Sequence, residues 1–279
     1  MSSVLKCACC PCCYKKDSFT WQDTPKYYMP SAIAAAKVAH SFIASSHNTY
    51  IDSKLQILGN ANEVEVQRVL YMGARALELD IWSKSTNDST PVVAHGGEYG
   101  KYDVLVTPTI DFSKYLDIIA QYGWRNSNLP LFLCLELNGS DETNARVAQL
   151  IRDRITPRLF GPQVELGQTQ YQDIKDKLVI CSSGCDNPEM NSLVNYHWTT
   201  PAFRNINYST LDDYADLADF SKEHIVRVYP GNKVLSRNYD PAKPWNLGCQ
   251  MVAINYNYED DGYKTNQTMF EDFPVVLKA

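Results

Sequence analysis

The sequence predicts a single (β/α)8 barrel, an α/β fold, preceded by a Cys-rich N-terminal tail, and three observations carry that prediction. Its 279 residues, 44% of them hydrophobic, suit the roughly 250 residues that such a barrel takes. Short apolar runs alternate with segments of helical spacing, the pattern of repeated βαβ units. The polar groups best suited to chemistry, His47-Asn48, Glu78 with Asp80, His95-Gly96 and Glu136, each close an apolar run. In a barrel, strand ends of one polarity share one rim.

The elements follow in order. Residues 1–38 form the tail and a lead-in, of which Trp21 to Pro30 is aromatic and proline-punctuated, suited to lie across a surface. Val38 to Ser45 reads as the first buried strand. Asn60 or Asn62 can cap a helix whose Val66, Val69 and Leu70 keep helical spacing, with Gly73 closing it. Arg75 to Trp82 is the second strand and Pro91 to Gly96 the third. Asp111 to Tyr122 is the next helix, directing Leu116, Ile119 and Ala120 inward. Leu129 to Leu137 is a fourth strand, nearly continuous in apolar residues as a strand covered on both faces should be. Ser140 to Ile155 is amphipathic through Val147, Leu150 and Ile151 and ends before Pro157. Lys177 to Ser182 is the fifth strand. Residues 183–204, irregular and polar, read as a short linker between two barrel halves, 39–182 and 205–279. Arg204 to Tyr208 is a short sixth strand, and Ser209-Thr210-Leu211-Asp212 has the form of a capping box opening a helix to about Phe220. Ile225 to Pro230 is the seventh strand, with Arg227 and Tyr229 on one face, and Met251 to Tyr256 the eighth.

Within the second strand Glu78 and Asp80 point one way while Leu77, Leu79 and Ile81 point the other. Two carboxylates on one side repel and are costly to bury, so the pair fits a hard cation or shared acid/base work; a solvent-facing alternation is the plain alternative. The company of His47, His95 and Glu136 at neighbouring run ends favours the first. His40, His197 and His224 lack such company and read as structural.

A formal net charge of −6 argues against a general nucleic-acid binder. No apolar run reaches the roughly 18 residues of a membrane span, and the N-terminus lacks the apolar core of a signal peptide. A cytoplasmic chain is therefore expected. Five of the nine cysteines crowd into Cys7-Ala8-Cys9-Cys10-Pro11-Cys12-Cys13, beside Lys6, Lys15 and Lys16. They are too close to pair readily and lack zinc spacing, so S-acylation is the expected use, with thioester-linked chains plus a basic patch as a membrane anchor. Ser2 excludes N-myristoylation, which needs glycine there.

Several longer strings carry a resemblance. Ser45-Ser46-His47-Asn48-Thr49-Tyr50, Glu78-Leu79-Asp80-Ile81-Trp82, His95-Gly96 and Leu135-Glu136-Leu137-Asn138 stand in the order of the X box of phosphoinositide-specific phospholipase C. Arg227-Val228-Tyr229-Pro230, Asn238-Tyr239-Asp240-Pro241, Trp245 through Ala253 and Met269-Phe270-Glu271-Asp272 are similar to its Y box. The resemblance covers nearly all of the chain from Ala39 onward.

What the resemblance implies is Ca²⁺-dependent cleavage of phosphatidylinositol lipids at a membrane surface, giving diacylglycerol and an inositol phosphate through a cyclic phosphodiester. By position Asn48, Glu78, Asp80 and Glu136 would hold Ca²⁺, an all-oxygen set that suits this hard ion and argues against zinc. Glu78 or Glu136 would take the inositol hydroxyl proton. His47 would donate a hydrogen bond to the developing charge and His95 would protonate the leaving oxygen, tasks that suit an imidazole near neutral pH. Arg227 and Tyr229 would meet the head group as phosphate donor and ring platform, and Ser221 would approach the ring. The chain departs from the resemblance where members that cleave the bisphosphorylated lipid carry two lysines, because Cys181 and Ser183 stand there. Lys233 and Arg237 are later cations that could reach the head group. Pleckstrin-like, EF-hand and C2 modules do not fit in the 38 residues before the barrel, and no obligate protein partner is evident. The alternatives are a catalytically silent phosphoinositide-binding barrel and a glycerophosphodiester phosphodiesterase-like enzyme, although the latter's His-Arg-Gly-like signature is not the His47-Asn48 found here.

Overall fold

The computed structural model describes residues 25–54, 59–99, 102–161, 164–231 and 235–279. The expected acylation cluster, Cys7 to Cys13, and Lys233 lie outside the described residues.

The first half of the chain runs α1 (Ser31–Ala35), β1 (Ser41–Ser46), α2 (Glu63–Tyr71), β2 (Ala76–Ser85), β3 (Asp88–Val93), β4 (Gly96–Tyr99), β5 (Tyr102–Leu105), β6 (Ile110–Asp111), α3 (Phe112–Tyr122), β7 (Leu131–Leu137) and α4 (Asp141–Ile155). The second continues with β8 (Leu178–Ser182), α5 (Pro188–Asn191), β9 (Tyr196–His197), β10 (Phe203–Asn207), α6 (Leu217–Phe220), β11 (Ile225–Tyr229), α7 (Ala242–Asn246), β12 (Met251–Ile254), α8 (Asp261–Met269) and β13 (Val275–Leu277). The side chain of Asn62 caps α2 by accepting from the Val64 N–H, and Ser140 caps α4 by accepting from Thr143. Gly73, at φ 93°, makes the left-handed turn that returns the chain from α2 to β2.

Eight strands lie parallel in the order β10-β11-β12-β1-β2-β7-β8-β9. The last gap, between β9 and β10, has no ladder among the described residues, and the Tyr196 and Phe203 rings meet there with centroids 5.4 Å apart. Strand alternation sorts the core. Ile43, Ala76, Phe132, Val179, Cys181, Ile225 and Met251 pack together inside the barrel, while Leu77, Leu79, Ile81, Leu131, Leu133 and Leu135 pack outward with residues of α2, α3 and α4. Burying Leu77, Leu79 and Ile81 contributes roughly 1.5–3 kcal/mol each, which fixes the face of β2 that turns inward.

The eight-strand barrel is as expected, with one exchange of members. The Pro91-to-Gly96 run is no barrel strand. Its Pro91 to Val93 end β3, which pairs antiparallel with β2 as a hairpin arm (Ile81 with Val93, Trp82 with Val92), and its Gly96 opens β4. The missing barrel strand is β9, a two-residue strand inside the interval that reads as a linker. Two smaller differences concern helical segments: Val38–His40 is a turn of 3-10 helix ahead of β1, and the Ser209 capping box opens no helix to Phe220. Asn207 instead caps a 3-10 helix over Tyr208–Asp213, and α6 follows separately. Among the described residues no helix is long and apolar enough to cross a membrane.

Candidate active site

The inward faces of β2 and β7 bring Glu78, Asp80 and Glu136 together, as the register of β2 on β7 pairs Glu78 with Cys134 and Asp80 with Glu136. One carboxylate oxygen from each lies within 4.8 Å of the others. Glu78 and Asp80 are buried, so this is no solvated alternation. Their mutual repulsion shows in Glu136, whose carboxyl is pushed up to about 9 by burial and by the charges of Asp80 and Glu78. Glu78 moves the other way. Burial raises it, but the Arg227 guanidinium, His47 and the Asn48 N–H together hold it below the usual carboxylate range.

The turn after β1 supplies the next groups. Asn48 sits in the left-handed region at φ 43°, which asparagine tolerates better than most residues. That conformation aims its N–H at Glu78 Oε2, 2.9 Å away. The Tyr50 hydroxyl lies 2.7 Å from Asp80 Oδ2 and 3.2 Å from Asn48 Oδ1. Asp80 Oδ1 and Asn48 Nδ2 are buried with no partner among the described residues. Three converging carboxylates, an adjacent amide and an orphaned buried carboxylate oxygen fit a hard cation with oxygen ligands.

A histidine stands by each carboxylate of β2. His47 Nε2 is 3.7 Å from Glu78 Oε2, and His95 Nδ1 is 3.8 Å from Asp80 Oδ2. His47 Nδ1 faces Asn255 Oδ1 at 2.8 Å, and the Asn255 amide is oriented by donating from Nδ2 to the Ser236 carbonyl at 3.0 Å. Nδ1 therefore carries a proton and Nε2 is the nitrogen turned toward the carboxylates. Burial lowers the His47 pKa against the pull of Glu78 and Asn255. His95 is held through its backbone, with its N–H donating to Thr107 Oγ1 at 2.8 Å and its carbonyl accepting from Val106 at 2.9 Å.

Arg227 lies in the same layer but is not free. Its guanidinium forms an ion pair with Glu78, donates to Asn205 Oδ1 at 2.8 Å, and sits between the rings of Trp198 and Tyr229, 5.4 and 5.3 Å from their centroids. Burial disfavours its charge, yet Glu78 raises its pKa overall. The expected direct phosphate donor is thus engaged inside the barrel. Tyr229 stands at the mouth, its ring stacked on His47 at 6.3 Å.

Ser221 is a correction. It is buried at the opposite end of the barrel, where its hydroxyl donates to the Leu247 carbonyl at 2.8 Å and its carbonyl accepts from Gln250 at 2.6 Å. Gln250 also binds the Ala39 carbonyl and the Val226 N–H, groups at the starts of β1 and β11, so Ser221 helps lock strand starts and cannot reach the carboxylates. Residues that the sequence reading did not single out are Asn255, Asn205, Trp198 and Tyr50. Asn205 lies within β10 and the others follow barrel strands, yet only the fold shows which partner each serves. A cleft of about 680 Å³ lies beside Arg237, Asn238, Tyr239 and Asp260, and none of the three carboxylates lines it.

The phosphatidylinositol-specific phospholipase C X domain family matches residues 35–183, and the Y domain family of the same name matches residues 181–275. Among curated relatives, 1-phosphatidylinositol 4,5-bisphosphate phosphodiesterase delta-3-A of Danio rerio is 26% identical over 297 residues, covering 84% of this chain and 37% of that protein. Inactive phospholipase C-like protein 2 of Homo sapiens is 25% identical over 283 residues, covering 78% of this chain and 24% of that protein. The chain therefore spans well under half of the relatives it matches. The crystal structure of L. pealei PLC21 superposes with a TM-score of 0.75 at 25% identity, over 88% of this chain and 38% of that one. A calcium-dependent phosphoinositol-specific phospholipase C from Pseudomonas sp shares the fold, with a TM-score of 0.57 at 13% identity over 89% of this chain and 97% of that one.

Proposed function

This chain belongs to the phosphatidylinositol-specific phospholipase C family, its X and Y domain matches together running from residue 35 to 275, and from that premise we propose that it cleaves phosphatidylinositol lipids in a Ca²⁺-dependent reaction. The observation that carries the proposal is the convergence of Glu78, Asp80 and Glu136 within 4.8 Å, with a histidine beside each carboxylate of β2.

Asn48, Glu78, Asp80 and Glu136 would hold the ion. When bound, calcium supplies charge to neutralise the phosphate and to acidify the inositol hydroxyl poised to attack. Glu136 is the better base of the two candidates, because Glu78 is tied up in its ion pair with Arg227. His47 offers Nε2 to the developing negative charge, positioned through Nδ1 by Asn255. Donation from Nε2 needs the imidazolium, which Glu78 favours and burial opposes. His95 gives its proton to the departing diacylglycerol oxygen. The ring of Tyr229 forms a wall at the mouth, and Arg227 acts by keeping Glu78 charged and fixed.

We place the protein at the cytoplasmic face of a membrane through S-acylation of the cysteines between Cys7 and Cys13. Hydroxylamine-sensitive acyl labelling that survives replacement of all five by serine would defeat that assignment.

A second reading has one observation in its favour: the human relative above is named inactive. In that reading the barrel binds phosphoinositides without cleaving them. Purified protein incubated with labelled phosphatidylinositol and its mono- and bisphosphate, with calcium or with chelator, separates the two. Calcium-dependent release of water-soluble inositol phosphate is the expected result, and no release from any of the three lipids would leave only the binding reading.

A further inference from the structure

We infer that the site selects a head group whose inositol ring bears no phosphate on the edge facing β8 and β9, so that phosphatidylinositol is preferred over its bisphosphate. The inference rests on the phosphoinositide reading above and narrows it.

The first support is the charge of the mouth. Glu78, Asp80 and Glu136 converge there, and the guanidinium of Arg227 beside them is already committed to Glu78 and Asn205. A bound divalent ion together with Arg227 brings the three carboxylates to about zero before either histidine is protonated, with the lipid's own phosphodiester still to be accommodated. A ring phosphate adds a further ≈ −1.5 to −2 and needs charge-assisted donors of its own.

The second support is the wall that such a phosphate would meet. The sequence has no lysine or arginine between Lys177 and Arg204, an interval that includes β8, β9 and the segments after each. The segment after β8 adds the acidic Asp186, which is exposed. Arg204, which ends the interval, is held by Asp216 at 2.7 and 2.8 Å and stacks on Phe220. The neighbouring segments agree: Asn138 to Ser140 after β7 leads into Asp141 and Glu142, and the 3-10 helix after β10 carries Asp212 and Asp213 with no cation.

What this wall does present is neutral. Cys181 is fully buried, paired in register with Cys134 across β7 and β8, and Ser183 beyond it accepts from the Leu137 N–H at 3.2 Å. Trp198 follows β9 and covers Arg227, and its Nε1 is a buried donor with no hydrogen-bond partner among the described residues. An unpaired neutral N–H suits a ring hydroxyl and cannot compensate a phosphate dianion. The described cations near the mouth follow other strands. Lys54, after β1, lies over the Tyr258 ring at 5.8 Å, Arg237, after β11, shares its cleft with Asp260 and Asp261, and Lys243, on α7, is held by Asp212 at 2.8 Å over the Tyr208 ring.

The test is head-group binding to the whole chain by calorimetry with calcium present, comparing inositol 1-phosphate with inositol 1,4,5-trisphosphate. The trisphosphate is expected to bind no tighter than the monophosphate; a trisphosphate bound about tenfold tighter or more overturns the inference. Two variants add the missing cation, Ser183→Lys inside the wall and Asp186→Lys on its exposed rim. With folding checked by circular dichroism, at least one should raise the trisphosphate-to-monophosphate affinity ratio by about tenfold. An unmoved ratio in both counts against the inference. If no lipid is hydrolysed but this order of binding holds, the enzymatic reading falls and the head-group preference stands. If neither head group binds, the head-group preference falls, and lipid hydrolysis alone decides the enzymatic reading.

Discussion

Asn255 shows how one residue can set the chemistry of another. By accepting from His47 Nδ1 it leaves Nε2 facing the carboxylates, so it is a positioning residue whose removal should alter a pH profile and not merely a rate. Asn255→Asp puts a carboxylate where the amide oxygen stands, and the His47 pKa should rise by roughly one to three units. The kcat/KM limb governed by His47 moves to higher pH accordingly, and an unshifted limb would show that His47 does not titrate in the reaction. Glu136 gives the second prediction at this scale. Its folded-state pKa is raised from 4.5 to about 9, so its contribution to stability is fully present below 4.5 and is lost as pH rises through about 9. The calcium-free protein should therefore lose stability over that window, and Glu136→Gln should flatten this part of the loss. Calcium needs the ionised carboxylate, so its binding should release a proton and tighten with pH, measurable in buffers of different ionisation enthalpy.

Elements decide where those residues stand. Strand alternation in β2 made Glu78 and Asp80 legible from the sequence, since Leu77, Leu79 and Ile81 fix the opposite face. The Pro91-to-Gly96 run was misleading for a physical reason. An apolar run buried in a hairpin against β2 has the same composition as one buried in a barrel, and only pairing direction separates them. β9 escaped notice because two residues carry no period. Arg227 could be placed on the inner face, but its pairing with Glu78 joins residues 149 positions apart and leaves no local trace. The hairpin arm also carries a prediction. A Cβ on Gly96 would come within 2.9 Å of the buried Trp82 ring, so Gly96→Ala should displace the segment that holds His95. Turnover should fall by tenfold or more with calcium affinity intact, as expected when a reacting group moves by a fraction of an ångström or more. By contrast, Asn62→Ala removes the cap of α2 and an exposed hydrogen bond to Asp52, and should cost about 1 kcal/mol in a urea titration with turnover unchanged.

At the scale of the whole molecule, the fold class and the three carboxylates that converge in the candidate site could be read from the sequence because long strings stand in order along a barrel of the right length. The seam between β9 and β10 could not, since it is an absence of pairing among the described residues, where Tyr196 and Phe203 meet. Amides at that seam should exchange faster in native-state hydrogen exchange than those of β7, which pairs on both sides; equal protection would mean that the barrel is closed by hydrogen bonds in solution. The molecule otherwise converges on one small volume, where β1, β2 and β7 deliver an amide and three carboxylates to a common point. Calcium titration of the purified chain by calorimetry, set beside the same titration of Asp80→Asn, tests that convergence most directly. One ion per wild-type chain, with binding lost or severely weakened in the variant, is the predicted result; no calcium binding to the wild type, or equal binding by both proteins, would contradict it.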